Sequence, residues 1–542
     1  MLQTEMTNFK ITKKIFYLFL VPVVVAVVFE LINKGYDVST GCNFIENSFF
    51  SMLLVGPVYF IVNRKLQLGY VTLMFLVFCF AIYFESVYYY FFEAYLSASS
   101  LFVVLDSNSS EAAEFLNFYI DRKVIIFSVL MLIIIVTSLL RFRSILSPFN
   151  KTLTRTRIKI SIYMFLVLAF LKFSGLIVYN LAYLILKSTI EYTAESNKLG
   201  AYKTNKTGDF NNVSRPISQE DEVYVIVLGE STSRSHFGLY DYSRPTTPKL
   251  NSLKEELIIY NDVISPHAHS IASITKILTL GNFEYPDKIG EGSIIQLANK
   301  ADFETVWLSN QRPIGIYESL VTKIALSSSK SKFLTTTFGV HSKVKDAELL
   351  PELDAILMET SSSKKFIVIH LMGTHHNYKN RYPDTFNKFK DTPFSNYKSD
   401  EIFKIINDYD NAVLYTDFVV SEIIQKVKAL NTKSFVLYMS DHGEELFKDR
   451  NMAGHNEDVS TQDMYDVPFL LWQSDDYKEQ NQLKIDVDRS YMLDDLFHSV
   501  ADLLEISAKE VEEERSIFNA AFKDRKRFIL ESSEYDTYFN FD

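Results

Sequence analysis

Five apolar stretches fill the front of the chain, at roughly 13–33, 48–63, 68–95, 124–140 and 158–186. Inside a bilayer no water is available to backbone N–H and C=O groups, so a spanning segment must be a helix of about 20 residues. The second and fourth stretches are short and need a few flanking residues to span. A cleaved leader would account for the first stretch alone; four more follow it, and no small-residue cleavage site is present. The expectation is a bundle of five transmembrane helices over residues 1–187.

Basic residues orient that bundle. Lys10, Lys13 and Lys14 precede the first stretch, and Arg64 and Lys65 follow the second. Arg141, Arg143, Lys151, Arg155, Arg157 and Lys159 lie between the fourth and fifth without an acid among them. The amino terminus and these loops are therefore expected in the cytoplasm, and everything after the fifth stretch outside it. Residues 1–187 hold 16 Lys and Arg against 10 Asp and Glu, whereas residues 188–542 hold 39 against 56. An acidic extracytoplasmic half argues against nucleic-acid binding. Cys42 and Cys79 are the two cysteines, too few for a disulfide framework, so the large domain has to be held by its core.

Residues 188–222 have the polar composition of a linker, with a possible membrane-surface helix over Ser188–Leu199. Beyond it, residues 223–542 alternate strand-like runs with helical ones. Strands are expected at 223–228, 257–261, 303–308, 365–371, 434–439 and 468–472, and a helix at Ile402–Leu430. This alternation predicts an α/β layered domain with a largely parallel sheet.

Ligands in such sheets bind beyond the carboxyl ends of the strands, and that is where the chemistry-bearing residues fall. Val223–Leu228 runs into Gly229-Glu230-Ser231, residues 434–440 into Asp441-His442-Gly443-Glu444, and residues 365–371 into Gly373-Thr374-His375-His376; His455 follows in Ala453-Gly-His-Asn456. Oxygen and imidazole donors without thiolates suit Zn²⁺ or Mn²⁺. Ser265, Ser270 and Ser273 in Ser265-Pro-His-Ala-His-Ser270-Ile-Ala-Ser273 are candidate nucleophiles, because coordination to a divalent metal turns a weakly nucleophilic hydroxyl into an alkoxide. Ser273-Ile-Thr-Lys276 matches Ser-x-x-Lys, but no Ser-Asp-Asn or Lys-Thr-Gly accompanies it.

The wording around these residues resembles a known family. Gly229-Glu-Ser231, Arg234, Leu239-Tyr-Asp-Tyr-Ser-Arg-Pro-Thr-Thr-Pro248, Trp307-Leu-Ser-Asn-Gln311, Gly373-Thr-His375 with Asn380-Arg-Tyr-Pro383, Tyr409-Asp-Asn411 and Ser440-Asp-His-Gly-Glu444 are similar to membrane-bound phosphoethanolamine transferases of the alkaline phosphatase superfamily. The resemblance implies five transmembrane helices and a periplasmic α/β sandwich of alkaline phosphatase/sulfatase type, in the inner membrane. It implies that Glu230, Asp441 and His442 bind one or two Zn²⁺ (or Mn²⁺) together with Ser270, which stands where the family has its threonine nucleophile. His375 and His455 match histidines that bind the phosphoryl group or a second metal. Asn310 and Gln311 match substrate contacts, and Ser107 and Glu111 match a pair facing the lipid donor. The implied reaction carries phosphoethanolamine from phosphatidylethanolamine to lipopolysaccharide, on a core sugar or lipid A, through a phosphoethanolamine-serine. Transfer of phosphoglycerol or phosphoethanolamine to another periplasmic glycan is the alternative. The Leu-Tyr-x-Tyr and Thr-Thr-Pro wording and the lack of cysteine after residue 79 lean toward the branch that modifies core heptose or glucan. A sulfatase proper is disfavoured, since no Cys/Ser-x-Pro-x-Arg segment surrounds Ser270.

Overall fold

Helices dominate the front of the chain and a sheet the rest. A computed structural model describes residues 2–92, 95–96, 121–146, 149–198, 202, 204–218, 220–311, 320–334, 344–530 and 532–539. The described residues form two units, one running to Glu191 and the other beginning at Tyr192.

The first unit contains α1 (Leu2–Lys34), α2 (Val38–Val55), α3 (Arg64–Phe92), α4 (Arg122–Leu146), α5 (Thr154–Phe173) and the start of α6 (Leu181–Lys198). Among the described residues, α1, α3 and α4 are long and apolar enough to cross a membrane. Phe19, Phe75, Phe78, Phe127 and Phe142 pack among these three helices, while Val24, Val28, Ile32, Ile126 and Ile133 are exposed. An apolar exterior around an apolar interior is what a lipid solvent selects. Buried carboxylates inside the unit each have a donor: Glu30 accepts from Ser86 and Tyr95, Glu46 from Asn180, and Glu85 from Asn47 and the Leu181 N–H.

Two expected spans take a different form. The stretch 48–63 is divided between α2 and a 3₁₀ turn, Gly56–Tyr59, with Pro57 in second place. The stretch 158–186 is two helices. At its break Gly175 adopts φ +76°, a left-handed conformation that ends a helix at little steric penalty, and α6 starts six residues later. The helix expected from Ser188 is the continuation of α6.

The second unit is built on a seven-stranded sheet of β1 (Glu222–Gly229), β2 (Leu257–Ile259), β3 (Glu304–Ser309), β4 (Lys330–Phe333), β5 (Lys364–His370), β6 (Lys433–Ser440) and β7 (Phe469–Gln473), in the order β2-β7-β6-β1-β5-β3-β4. β1 is central and fully buried, which is why it is apolar on both faces. It pairs in parallel with β5 and β6, whereas β7 runs antiparallel to both β6 and β2. Val223, Val225 and Val227 face a core shared with α8 (Asp400–Lys428), including its Val413, Val420 and Ile424. On the opposite face Tyr224 stacks on Phe435 with Tyr477 against its edge. The result is a sheet covered on both sides, whose three central parallel strands end together at one edge.

Candidate active site

Register fixes that edge. Leu228 of β1 stands opposite His370 of β5, and Gly229 opposite Ser440 of β6. The next residues, Glu230, Leu371 and Asp441, therefore leave the sheet side by side. Ser231 has φ +57°, strained for a residue with a Cβ, and every polar group around it holds the turn. Its N–H donates to Asp441 Oδ1 (3.0 Å) and its hydroxyl to Glu230 Oε1 (2.7 Å); its carbonyl accepts from Thr374 Oγ1 (2.7 Å) and the Tyr409 hydroxyl (2.8 Å). Ser231 is thereby engaged as a turn residue.

Glu230, Asp441 and His442 are fully buried and offer ligand atoms within 4.8 Å of one another. His442 Nδ1 is 2.8 Å from the Gly443 carbonyl, which places a proton on Nδ1 and aims Nε2 at the carboxylates. Nε2 lies 3.3 Å from Glu230 Oε1 and 3.7 Å from Asp441 Oδ2. Asp441 Oδ2 is buried without a hydrogen-bond partner.

Burial disfavours charge on Glu230, yet its hydrogen bond to His442 and the nearby imidazoles hold its carboxyl well below the usual range. Burial, then Glu230, pushes Asp441 up to about 7. His442 is disfavoured as a cation by burial, but Asp441 and Glu230 outweigh this and raise it to about 10. Asp441 and the His442 imidazole thus retain protons that a divalent cation would replace, while Glu230 stays ionised, and the donor set and the orphaned Oδ2 fit Zn²⁺.

Of the three candidate serines, one faces this cluster. Ser270 Oγ donates to Glu230 Oε1 and Oε2, both at 3.0 Å, and lies 3.3 Å from His442 Nε2. It is the first residue of α7 (Ser270–Leu278), where the helix dipole favours an oxyanion. Ser273 donates instead to the Asp441 carbonyl (2.6 Å), and Ser265 is bonded to that same carbonyl and to Ser273.

The remaining expected residues divide. Gln311 Nε2 donates to Glu230 Oε2 (2.9 Å) and to the Leu371 carbonyl (3.0 Å), so it orients the carboxylate. His455 lies beside His442, ring centroids 4.2 Å apart and planes tilted by 58°, with Nδ1 3.3 Å from Glu444. His375 Nδ1 is buried without a partner, and burial lowers this imidazole to about 4. Asn310, expected at the substrate, is completely buried and donates to Asp346 Oδ1 at 2.8 Å; it braces the site from behind. Ser107 and Glu111 lie outside the described residues.

Asp346 is a residue the motifs do not single out. Its carboxylate accepts from Met372 N and Gly373 N, both at 2.9 Å, and so shapes the turn that brings Thr374 N onto the Glu230 carbonyl (3.0 Å). An acid twenty-six residues upstream of its partners leaves no local signal.

The sulfatase family matches residues 222–506, the span that supplies every strand of this edge. Phosphoethanolamine transferase EptC of Escherichia coli K12 is 30% identical over 483 residues, covering 82% of this chain and 81% of that protein. The chain belongs to the sulfatase-like phosphoethanolamine transferase family. Phosphoethanolamine transferase CptA of Salmonella typhimurium is 29% identical over comparable shares, 82% and 81%. The crystal structure of the periplasmic domain of the Escherichia coli EptC, in complex with Zn, matches at 32% identity with TM-score 0.58, covering 60% of this chain and 96% of that one. The integral membrane transferase EptA of Neisseria meningitidis shares the fold at 22% identity and TM-score 0.65, over 94% of this chain and 97% of its own.

Proposed function

We propose that this family member is a zinc-dependent phosphoethanolamine transferase of the inner membrane. It transfers phosphoethanolamine from phosphatidylethanolamine to lipopolysaccharide, on a core sugar or lipid A, with Ser270 as the nucleophile. The observation that carries the reading is the placement of Ser270 Oγ against Glu230 and His442 at a helix N-terminus. Glu230, Asp441, His442 and Ser270 would hold the Zn²⁺, which supplies Lewis acidity that lowers the pKa of the serine hydroxyl.

Ser270 Oγ attacks the phosphorus of the lipid, forming an Oγ–P bond and breaking the P–O bond to diacylglycerol. The departing oxygen takes a proton and leaves as the free alcohol. His455, partly exposed beside His442 and paired with Glu444, is placed to give that proton. His375, neutral in its buried setting, orients the phosphoryl group as a hydrogen-bond partner. In the second half an acceptor hydroxyl or phosphate oxygen attacks the same phosphorus and the P–Oγ bond breaks to release Ser270; the proton of an attacking hydroxyl passes to His455, which gave up its own in the first half.

Residues 1–187 are assigned as five spans, 188–222 as the connection and 223–542 as the periplasmic catalytic domain. The donor's scissile bond lies at head-group depth, which calls for a membrane-held domain; Ser107 and Glu111 are assigned to that head group. The test uses the purified full chain with lipopolysaccharide and either ethanolamine-labelled phosphatidylethanolamine or glycerol-labelled phosphatidylglycerol. Label should pass from the first only, and mass spectrometry of core and lipid A fractions identifies the acceptor. Transfer from phosphatidylglycerol alone would reject the donor assignment.

A further inference from the structure

A second group of ligand-type side chains stands directly before the nucleophile. Among the described residues it is the other place where three such side chains offer atoms within 4.8 Å of one another: His267, His269 and Glu457. His269 is extended, at φ −153° and ψ 147°, and in extended chain residues two apart share a side. His-Ala-His therefore sends both imidazoles the same way, with Ala268 completely buried between them. Glu457, at the start of the 3₁₀ turn Glu457–Val459, meets them. Its Oε1 accepts from His267 Nδ1 (2.8 Å) and Ala268 N (3.1 Å), and its Oε2 lies 3.8 Å from His269 Nε2.

That last distance is too long for a hydrogen bond but suits two ligands spread around one ion. His267 Nε2 and His269 Nδ1 are also buried without hydrogen-bond partners. These are the ring nitrogens that do not face Glu457; the two that do, His267 Nδ1 and His269 Nε2, are the atoms placed to hold an ion with it.

We infer that His267, His269 and Glu457 form a second divalent-cation site, taking Zn²⁺, separate from Glu230, Asp441 and His442. Two imidazoles and one carboxylate with an open position are a zinc donor set. His269 immediately precedes Ser270 in the chain, so the segment that carries the nucleophile also carries this cluster. The inference goes beyond the proposed transfer reaction and does not depend on it, because its test counts metal.

The full-length chain in detergent is stripped, reloaded with Zn²⁺, dialysed and counted by mass spectrometry of the metal, with a chelator titration alongside. Wild type should hold one equivalent more than His267→Ala or Glu457→Gln, and should show one more release step as chelator is added. Glu457→Gln is the discriminating variant: its amide oxygen still accepts from His267 and Ala268, so a merely structural hydrogen bond would survive. A Glu230→Gln/Asp441→Asn chain leaves the second site untouched and should keep an equivalent that adding Glu457→Gln removes. Equal zinc content in wild type, His267→Ala and Glu457→Gln overturns the inference. So does a Glu230→Gln/Asp441→Asn chain whose zinc content is unchanged by Glu457→Gln, even if His267→Ala fails to fold.

Discussion

Ser270 has two hydrogen bonds to one carboxylate, and that carboxylate is itself aimed by Gln311. Replacing Gln311 by alanine frees Glu230 to rotate without removing a ligand. Partners of this kind typically contribute 10–100-fold, so a Gln311→Ala chain should lose about 10-fold in zinc affinity, read by chelator competition. Protons give a second handle. His442 is raised to about 10 and Asp441 to about 7 without a cation, so at neutral pH zinc must displace a proton. Affinity should therefore rise with pH by about one decade per unit for each proton released, measurable as buffer-dependent heat in calorimetry. Residue by residue, the sequence made Glu230, Asp441 and His442 legible because each follows an apolar strand directly. It left Ser265, Ser270 and Ser273 open, since only side-chain direction separates them. For Asn310, expected at the substrate, the structure shows an amide that donates to the buried Asp346, and a polar residue after a strand looks the same in sequence in either setting.

The turns between strand and ligand carry the precision. Gly373 has φ +52°, and a Cβ there would stand 2.7 Å from the Glu230 carbonyl oxygen and 2.9 Å from its nitrogen. Gly373→Ala should destabilise the chain by about 1–3 kcal/mol and reduce zinc affinity together with stability, checked by denaturation and metal titration. A loss of stability with affinity unchanged would show that the turn does not position Glu230. The Tyr-Asp-Tyr-Ser-Arg-Pro-Thr-Thr-Pro segment has a comparable supporting part. Arg244 donates to Asp410 (2.7 Å) and Asn407 (2.8 Å) of α8, and Tyr242 and His236 meet the same Asp410. A motif that reads as a family signature is thus a buried polar clamp between the strand-end loop and a helix. Buried strands and α8 lay within a few residues of their expected places because burial writes a strong pattern. β4, Lys-Ser-Lys-Phe at the sheet edge, was not expected, since three of its four residues are exposed and their polar character carries no strand signal. The break at Gly175 was also missed, because an apolar run shows hydropathy but not backbone hand.

At the scale of the whole molecule, charge and hydropathy separate two halves that live in different solvents. A reporter fused after residue 150 should be active in the cytoplasmic form only, and one fused after residue 220 in the periplasmic form only. Matching activity at both sites would contradict five spans. Membrane attachment is expected to matter for the donor and not for the metal, so residues 223–542 alone should bind zinc yet fail to use phosphatidylethanolamine presented in vesicles.

The central claim is that Ser270 carries the phosphoethanolamine between donor and acceptor. It is tested most directly by mass spectrometry of the purified zinc-loaded chain after incubation with phosphatidylethanolamine and no acceptor. The peptide containing Ser270 should gain one phosphoethanolamine, lose it when lipopolysaccharide is added, and gain none in Ser270→Ala, whose transfer rate should fall on the order of 10³-fold or more while the fold is kept. An adduct on another residue, or a Ser270→Ala chain that still transfers at the wild-type rate, would contradict it.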